Sequence, residues 1–244
     1  RKFISALTDL HFAPTSSACD NLIREGVPKS KIFVTGNTGV DSVKRAKESI
    51  ENKNTTKRIE GKLSNILPSS FFEKKFVLVT LHRREKFGQE FENMLLALKE
   101  IAAETNYNFV YPVHLNPNVK SAVKKILKND KNFYLLPPLD YMSFTYLMSR
   151  CYMIMTDSGG IQEECFAFKK YVVVMRDVTE RNEAVNAGYA FITGSDRKLI
   201  KSTFYKIDDN LKKNLISFPK KNPFGDGKAS ERIAKIIKTN LSGL

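Results

Sequence analysis

The loop at residues 156–164, Thr-Asp-Ser-Gly-Gly-Ile-Gln-Glu-Glu, has residue types that can hold a phosphate group. It follows a buried, strand-like run and leads into a helix, which in a parallel sheet places it at the ligand-binding edge. Free N–H groups of a helix N-terminus attract anions, the Ser158 hydroxyl adds a donor, and Gly159 and Gly160 let the backbone approach closely. One of the two glutamates can accept hydrogen bonds from a ribose. A glycine turn followed by helix capping explains the same residues, so both interpretations remain open.

Charged side chains also follow the neighbouring strand-like runs. The cluster at residues 82–85, His-Arg-Arg-Glu, comes directly after the run 76–81, and His114 ends the next run. Arg176 and Arg181 follow a further run, where either can contact an anion. Singly, each has a plainer explanation, such as a solvated loop with a local Arg–Glu pair or a structural histidine. Their convergence on consecutive strand ends favours a binding site.

A second glycine-rich turn, residues 225–230, opens the last helix. Its composition is typical of an anion-binding nest, and equally of a turn with a helix N-cap. The sequence shows no Ser–His–Asp set and no metal-ligand spacing. Cys19, Cys151 and Cys165 are widely spaced and lack a Cys-x-x-Cys pair, so neither a disulfide framework nor a zinc site is expected.

The elements that must position these residues alternate regularly. Short apolar runs at 76–80, 109–113, 133–136, 152–156 and 171–175 predict strands, and helical spacing at 91–103, 119–127, 144–148 and from about 160 predicts the helices between them. Strands buried on both faces and separated by helices indicate a parallel sheet. The predicted fold class is therefore α/β, with a Rossmann-like, doubly wound parallel sheet.

The domain organisation is predicted from shifts in composition. Residues 1–45 hold two strands and one helix, too little for a domain, and are expected to be the tail of a preceding one. The polar, lysine-rich stretch 46–75 predicts a helix end and a surface linker. Residues 76–225 form the predicted Rossmann-like domain, and 226–244 a helix that packs back toward the preceding domain. The opening on Arg1 suggests a chain cut from something longer.

The overall composition excludes several classes of function. The formal net charge of +14 is mostly lysine in scattered pairs, which indicates a solvated surface and not a nucleic-acid site. No apolar run approaches the ~20 residues of a membrane span. No signal peptide is recognisable, so a cytoplasmic location is expected.

The motifs together resemble the bacterial non-hydrolysing UDP-N-acetylglucosamine 2-epimerases, nearly from end to end. The matching segments are 11–15, 33–38, 82–85, 111–117, 156–164, 174–181 and 222–230. The resemblance implies a glycosyltransferase-B-type fold of two Rossmann-like domains with the active site in the cleft. It also implies interconversion of UDP-GlcNAc and UDP-ManNAc without a cofactor, by elimination and re-addition of UDP at C1 with inversion at C2. Such enzymes are commonly homodimers.

The resemblance assigns roles to individual residues. Ser158, Gly159 and Gly160 match the diphosphate grip, Glu164 matches the ribose-binding carboxylate, and His82 matches a catalytic histidine near the diphosphate.

Four further positions follow from the same resemblance. Arg181 matches an active-site cation, and Tyr141, in the loop 138–141, lies where the uracil rests. Arg83 and His114 match positions at which a second UDP-GlcNAc binds as an allosteric activator in some members.

The sequence also departs from the family pattern. Lys86 replaces an asparagine after the His-Arg-Arg-Glu motif, and Asn182 replaces a proline after Arg181. The N-terminal region that carries the residues proposed for proton transfer at C2 has no counterpart in this sequence. This chain is thus expected to supply the UDP-binding half, alone or with a separately encoded N-terminal half. An inactive remnant that binds UDP at most, and a hydrolysing epimerase, are the alternatives.

Overall fold

The computed structural model describes residues 2–83 and 88–241. The chain forms two compact units, one made of Arg1–Arg45 with Lys220–Leu244 and the other of Ala46–Pro219. Within the described residues, no helix combines the length and the apolar composition that a membrane span requires.

The strands in chain order are β1 His11–Ala13, β2 Ile32–Val34, β3 Phe76–Thr80, β4 Asn108–Pro112, β5 Phe133–Leu136, β6 Met153–Thr156, β7 Val172–Val174 and β8 Ala190–Ile192. The helices are α1 Lys2–Leu7, α2 Ser16–Arg24, α3 Thr38–Glu51, α4 Lys53–Leu63, α5 Gln89–Glu104, α6 Pro117–Leu127, α7 Tyr141–Arg150, α8 Gly159–Glu164, α9 Asn182–Asn186, α10 Arg197–Lys212 and α11 Ala229–Leu241. The sequence pattern predicted β1 to β7 and the helices α5 to α8, with shifts of a few residues at their ends. It missed β8 and the helices α1, α4, α9 and α10.

The larger unit is built on a six-stranded parallel sheet with the order β5-β4-β3-β6-β7-β8. All five residues of β3 and all four of β6 are buried, because these two strands are central and covered on both faces. The chain runs outward from β3 to β5, returns to the centre at β6 and runs outward again to β8. The crevice between β3 and β6 is therefore the topological switch point, where open α/β sheets bind ligands. The predicted Rossmann-like parallel sheet is confirmed.

The segment predicted as a linker, residues 46–75, is largely helical and in part buried. It contains the end of α3, all of α4 and a 3₁₀ turn at Ser69–Glu73. Phe71 is 1% exposed, and its ring lies 4.9 Å from that of Phe76 and 4.8 Å from that of Tyr134. Apolar side chains among the many lysines of this segment pack against the sheet, which the composition of the segment did not indicate.

In the smaller unit, β1 and β2 pair in parallel, with His11 opposite Ile32. Asp41, on α3, caps the last helix: its carboxylate accepts hydrogen bonds from the N–H of Ala229 (3.0 Å) and of Ser230 (2.6 Å). Asp41 is 6% exposed, so water does not compete for these bonds. This contact joins residues almost 190 positions apart and holds α11 in place.

Replacing Asp41 with asparagine is expected to lower the free energy of unfolding of the smaller unit by about 1–3 kcal/mol. The amide keeps one acceptor oxygen, but its NH₂ group would face the second backbone N–H. Chemical denaturation followed by circular dichroism measures the loss. Asp20→Asn, the same change at an exposed position of α2, should have no measurable effect.

The same contact predicts a pH dependence. Burial acts to raise the pKa of Asp41, but the N–H donors of Ser230 and Ala229 outweigh it and hold the pKa below its ordinary value of 3.8. The stabilisation is therefore complete above about pH 4, the ordinary pKa of an aspartate, and is lost as the pH falls through the lower pKa of the folded state. Asp41→Asn should abolish this part of the acid dependence; a variant with the wild-type profile would contradict the assignment.

Candidate functional site at the switch point

The ends of β3 and β6 are joined by a threonine pair. Thr80 and Thr156 are in register, their hydroxyl oxygens lie 2.5 Å apart, and both side chains are buried. The Thr156 hydroxyl also accepts a hydrogen bond from the N–H of Ser158 at 2.9 Å. The turn into α8 is thus anchored to the centre of the sheet.

The Ser158-Gly159-Gly160 turn lies close against a guanidinium group. A Cβ atom added to Gly159 would lie 2.9 Å from Cζ of Arg181, so a side chain there would collide with it. A Cβ on Gly160 would meet only Glu164 Oε1, at 3.9 Å. Ser158 makes no side-chain capping bond to α8. Glycine at 159 therefore allows the turn to pack closely against Arg181, a contact that the sequence did not predict. The role predicted from the sequence was close approach of the backbone to a phosphate.

Arg181 is held in place by carboxylates and by its own loop. Its Nε donates to Glu163 Oε1 at 2.8 Å, and its Nη1 lies 3.3 Å from Glu180 Oε2. The Glu180 carboxylate also accepts two hydrogen bonds from Arg176, and this pairing lowers the pKa of Glu180 to about 2. The Arg181 side chain is 31% exposed. The result is an oriented guanidinium beside the glycine turn.

A buried glutamine connects this arginine loop to α8. Gln162 is fully buried, accepts a hydrogen bond from the Thr179 hydroxyl at 2.9 Å and donates to the Ser158 carbonyl oxygen at 3.1 Å. The Thr179 hydroxyl in turn accepts from the N–H of Arg181 at 3.1 Å. Sequence reasoning missed this chain of bonds, because Gln162 and Thr179 look like ordinary helix and loop residues.

Glu164 and Tyr141 lie together at the other end of α8. The Tyr141 hydroxyl donates to Glu164 Oε2 at 3.3 Å. Burial raises the pKa of Glu164, which the hydrogen bond from Tyr141 opposes only in part. Burial, with the Glu164 charge next, raises the pKa of Tyr141 to about 12. Asp140 caps α7 through the N–H of Ser143 and so orients the adjacent tyrosine.

The two predicted histidines stack on each other. The rings of His82 and His114 have centroids 5.5 Å apart and planes inclined by 16°. Both line a cavity of about 240 Å³, together with Ser158, Leu139 and Phe144. Arg83 follows His82 and donates its backbone N–H to Asp157, whereas Arg84, Glu85 and Lys86 lie outside the described residues. The structure therefore brings the predicted histidines, the glycine turn and the loop near Tyr141 to one sheet edge.

The turn at residues 225–230 belongs to the smaller unit. Of its two predicted roles, an anion-binding nest or a turn with a helix N-cap, the hydrogen bonds favour the second. Its N–H groups at Lys228, Ala229 and Ser230 are taken by the carboxylates of Asp226 and Asp41. This favours the turn and cap over an anion nest. In the part of the chain that the structure describes, no group of three or more His, Cys, Asp or Glu residues is arranged to hold a metal ion.

Comparison with known proteins identifies the family. The family model described as UDP-N-acetylglucosamine 2-epimerase matches residues 1–238. The chain belongs to the UDP-N-acetylglucosamine 2-epimerase family. It is 45% identical over 240 residues to the UDP-N-acetylglucosamine 2-epimerase of Campylobacter jejuni, and the match covers 97% of this chain and 62% of that protein.

Solved structures show the same likeness. The UDP-GlcNAc 2-epimerase of Neisseria meningitidis bound to UDP-GlcNAc superposes with a TM-score of 0.88 at 36% identity, over 96% of this chain and 62% of that one. The enzyme of Methanocaldococcus jannaschii in complex with UDP-GlcNAc and UDP has a TM-score of 0.81 at 30% identity, over 96% and 62%. These matches confirm the predicted fold class, and the chain spans a little under two thirds of the length of its relatives.

Proposed function

We propose that this chain supplies the UDP-binding half of a cytoplasmic, non-hydrolysing UDP-N-acetylglucosamine 2-epimerase. The cluster at the switch point carries the proposal, because it places a glycine turn, an oriented guanidinium, a half-buried carboxylate and two histidines at one edge of the sheet. The enzymes of Neisseria meningitidis and Methanocaldococcus jannaschii were solved with UDP-GlcNAc, and with UDP-GlcNAc and UDP, respectively.

Each group has a place in the proposed complex. The N–H groups and hydroxyl of the turn at Ser158, Gly159 and Gly160 bind the diphosphate, and Arg181 and His82 balance its charge. Glu164 accepts hydrogen bonds from the ribose hydroxyls in place of the one from Tyr141, whose ring lies beside the uracil. Arg83 and His114 are proposed to contact a second, activating nucleotide sugar.

These groups act on the leaving group of the reaction. In the proposed elimination, the C2–H bond and the bond from C1 to the diphosphate oxygen break, and 2-acetamidoglucal and UDP result. Protonation on the opposite face of C2 then forms the C2–H bond again, and addition of the UDP oxygen to C1 forms the C1–O bond again. A positive guanidinium beside the departing diphosphate stabilises the charge that develops as the C1–O bond breaks. We assign proton transfer at C2 to no residue of this chain.

Calorimetry with UDP tests the proposal directly. The chain is expected to bind UDP weakly, with a dissociation constant in the millimolar range or below, and to bind uridine more weakly because it lacks the diphosphate. Absence of heat with millimolar UDP would reject the site.

Product analysis by NMR then separates the alternatives. In the presence of a separately expressed N-terminal half, UDP-ManNAc formed from UDP-GlcNAc supports the epimerase, free ManNAc supports a hydrolysing enzyme, and UDP binding without turnover supports a remnant. Turnover restored by a separately expressed N-terminal half would exclude the remnant. Sedimentation of the chain alone tests whether it forms the homodimer that the family resemblance implies.

Replacing Glu164 with glutamine is expected to weaken UDP binding about tenfold, since a charged acceptor for the ribose hydroxyls is lost. In the wild type, 2′,3′-dideoxy-UDP should bind correspondingly more weakly than UDP, and Glu164→Gln should remove that difference. Glu60 is the matched control because it also accepts a hydrogen bond from a tyrosine, Tyr146, at 2.6 Å, but lies on α4 and not on α8. Equal losses in Glu60→Gln and Glu164→Gln would contradict the ribose assignment.

A further inference from the structure

Asp157 is a buried carboxylate at the switch point to which the family comparison assigned no role. Its side chain is fully buried, and its Oδ2 accepts hydrogen bonds from the N–H groups of His82 and Arg83, both at 2.8 Å. Its own N–H donates to the carbonyl oxygen of Thr80 at 3.1 Å. The backbone that follows β3 is thus fastened to the end of β6 by one side chain.

The second oxygen of this carboxylate faces the His82 ring. Within the described residues Oδ1 makes no hydrogen bond, and His82 Nδ1 lies 3.5 Å from it. A buried carboxylate oxygen without a donor is costly, and a small rotation of the ring brings an Nδ1–H group within bonding distance. A proton on Nδ1 satisfies Oδ1, whereas an unprotonated Nδ1 would face it with a second lone pair.

The stacked partner has the opposite arrangement. His114 Nδ1 accepts a hydrogen bond from the N–H of Asn116 at 3.1 Å, so a neutral His114 carries its proton on Nε2. The two histidines that line one cavity therefore have different neighbours at Nδ1, a carboxylate oxygen for His82 and a backbone N–H for His114.

We propose that Asp157 is a positioning residue that holds the loop after β3 and fixes His82 in the Nδ1–H tautomer. Nε2 is then the ring atom left for the ligand. When Nε2 is protonated as well, it donates to a diphosphate oxygen, and the Asp157 carboxylate balances the charge of the ring. The ligand role rests on the proposed function, whereas the tautomer does not.

Asp157→Asn separates the two roles. The asparagine carbonyl oxygen can still accept both backbone N–H groups, but its NH₂ group replaces the oxygen that faces Nδ1. Nδ1 must then act as the acceptor, and the proton moves to Nε2. The variant is therefore expected to keep the fold and to change the tautomer of His82. If Asp157 had a purely structural role, the same substitution would leave the tautomer unchanged.

Side-chain ¹⁵N–¹H correlation spectra, recorded on the full chain at alkaline pH, measure the tautomers of its three histidines. His82→Asn and His114→Asn assign the signals. The wild type should show Nδ1–H for His82 and Nε2–H for His114, and Asp157→Asn should convert only His82 to Nε2–H. Asp196→Asn, which alters a helix-capping aspartate elsewhere in the larger unit, should change neither. A wild-type His82 in the Nε2–H form would overturn the proposal without reference to any variant.

Calorimetry completes the experiment. Asp157→Asn is expected to weaken UDP binding about tenfold. If the wild type fails to bind UDP, the proposed function fails while the tautomer result stands by itself. If the wild type and Asp157→Asn bind UDP equally although the tautomer of His82 has changed, the role of Asp157 toward the ligand is rejected.

Discussion

Gly159→Asp is expected to abolish UDP binding, with a loss of more than about 100-fold, or roughly 3 kcal/mol. A Cβ atom at this position lies 2.9 Å from Cζ of Arg181, so the guanidinium must move. The new carboxylate would then pair with Arg181 and withdraw it from the diphosphate. It would also repel the phosphate oxygens, and like charges about 4 Å apart near a protein surface cost about 4 kcal/mol.

Two other glycines of the larger unit provide the controls. Gly61 lies in α4 with no atom within 4 Å of an added Cβ, so Gly61→Asp makes the same charge change without a collision and should bind UDP normally. Gly160→Ala has room for its methyl group and keeps the backbone N–H, so it tests contact with the ligand separately from packing against Arg181. Isothermal titration calorimetry measures all three. Binding by Gly159→Asp within a few-fold of the wild type would mean that the diphosphate does not lie on this turn.

Phe71→Ala is expected to destabilise the larger unit by about 3–5 kcal/mol, the usual cost of removing a buried phenylalanine. The ring of Phe71 is 1% exposed and contacts the rings of Phe72, Phe76 and Tyr134, at centroid distances of 5.1, 4.9 and 4.8 Å. Its removal leaves a cavity between the 3₁₀ turn and the sheet, and rigid neighbours cannot fill it.

The adjacent Phe72 is the matched control, because it is only half-buried and Phe72→Ala should cost less. The chain has no tryptophan, so urea denaturation is best followed by far-UV circular dichroism. A loss below about 1 kcal/mol for Phe71→Ala, typical of surface positions, would show that residues 46–75 behave as the surface linker predicted from composition.

Asp157 shows why part of the site was not predictable. An aspartate after a buried strand is a common residue at a common place, and nothing in its neighbours distinguishes it. Its hydrogen bonds run to residues 74 and 75 positions away, through the pairing of β3 with β6. The contact between Tyr141 and Glu164 was not predicted either. The family resemblance assigned these two residues to different parts of a nucleotide, and in the structure they lie together.

The sequence by itself determined the parallel sheet and the position of the candidate loops in the chain. Runs buried on both faces can be recognised locally, because burial selects apolar side chains at every position of a central strand. The glycine turn at 159–160 was recognisable for the same local reason, since a tight turn into a helix restricts the residue types.

Only the tertiary structure decided which loops meet. Strand order is set by the packing of whole helices on the sheet and leaves no local signature, so the adjacency of β3 and β6 had to be observed. That adjacency places His82 against Asp157, and the loop after β7 places Arg181 against Gly159. The residue types were visible in the sequence, but their distances depend on contacts between residues far apart in the chain.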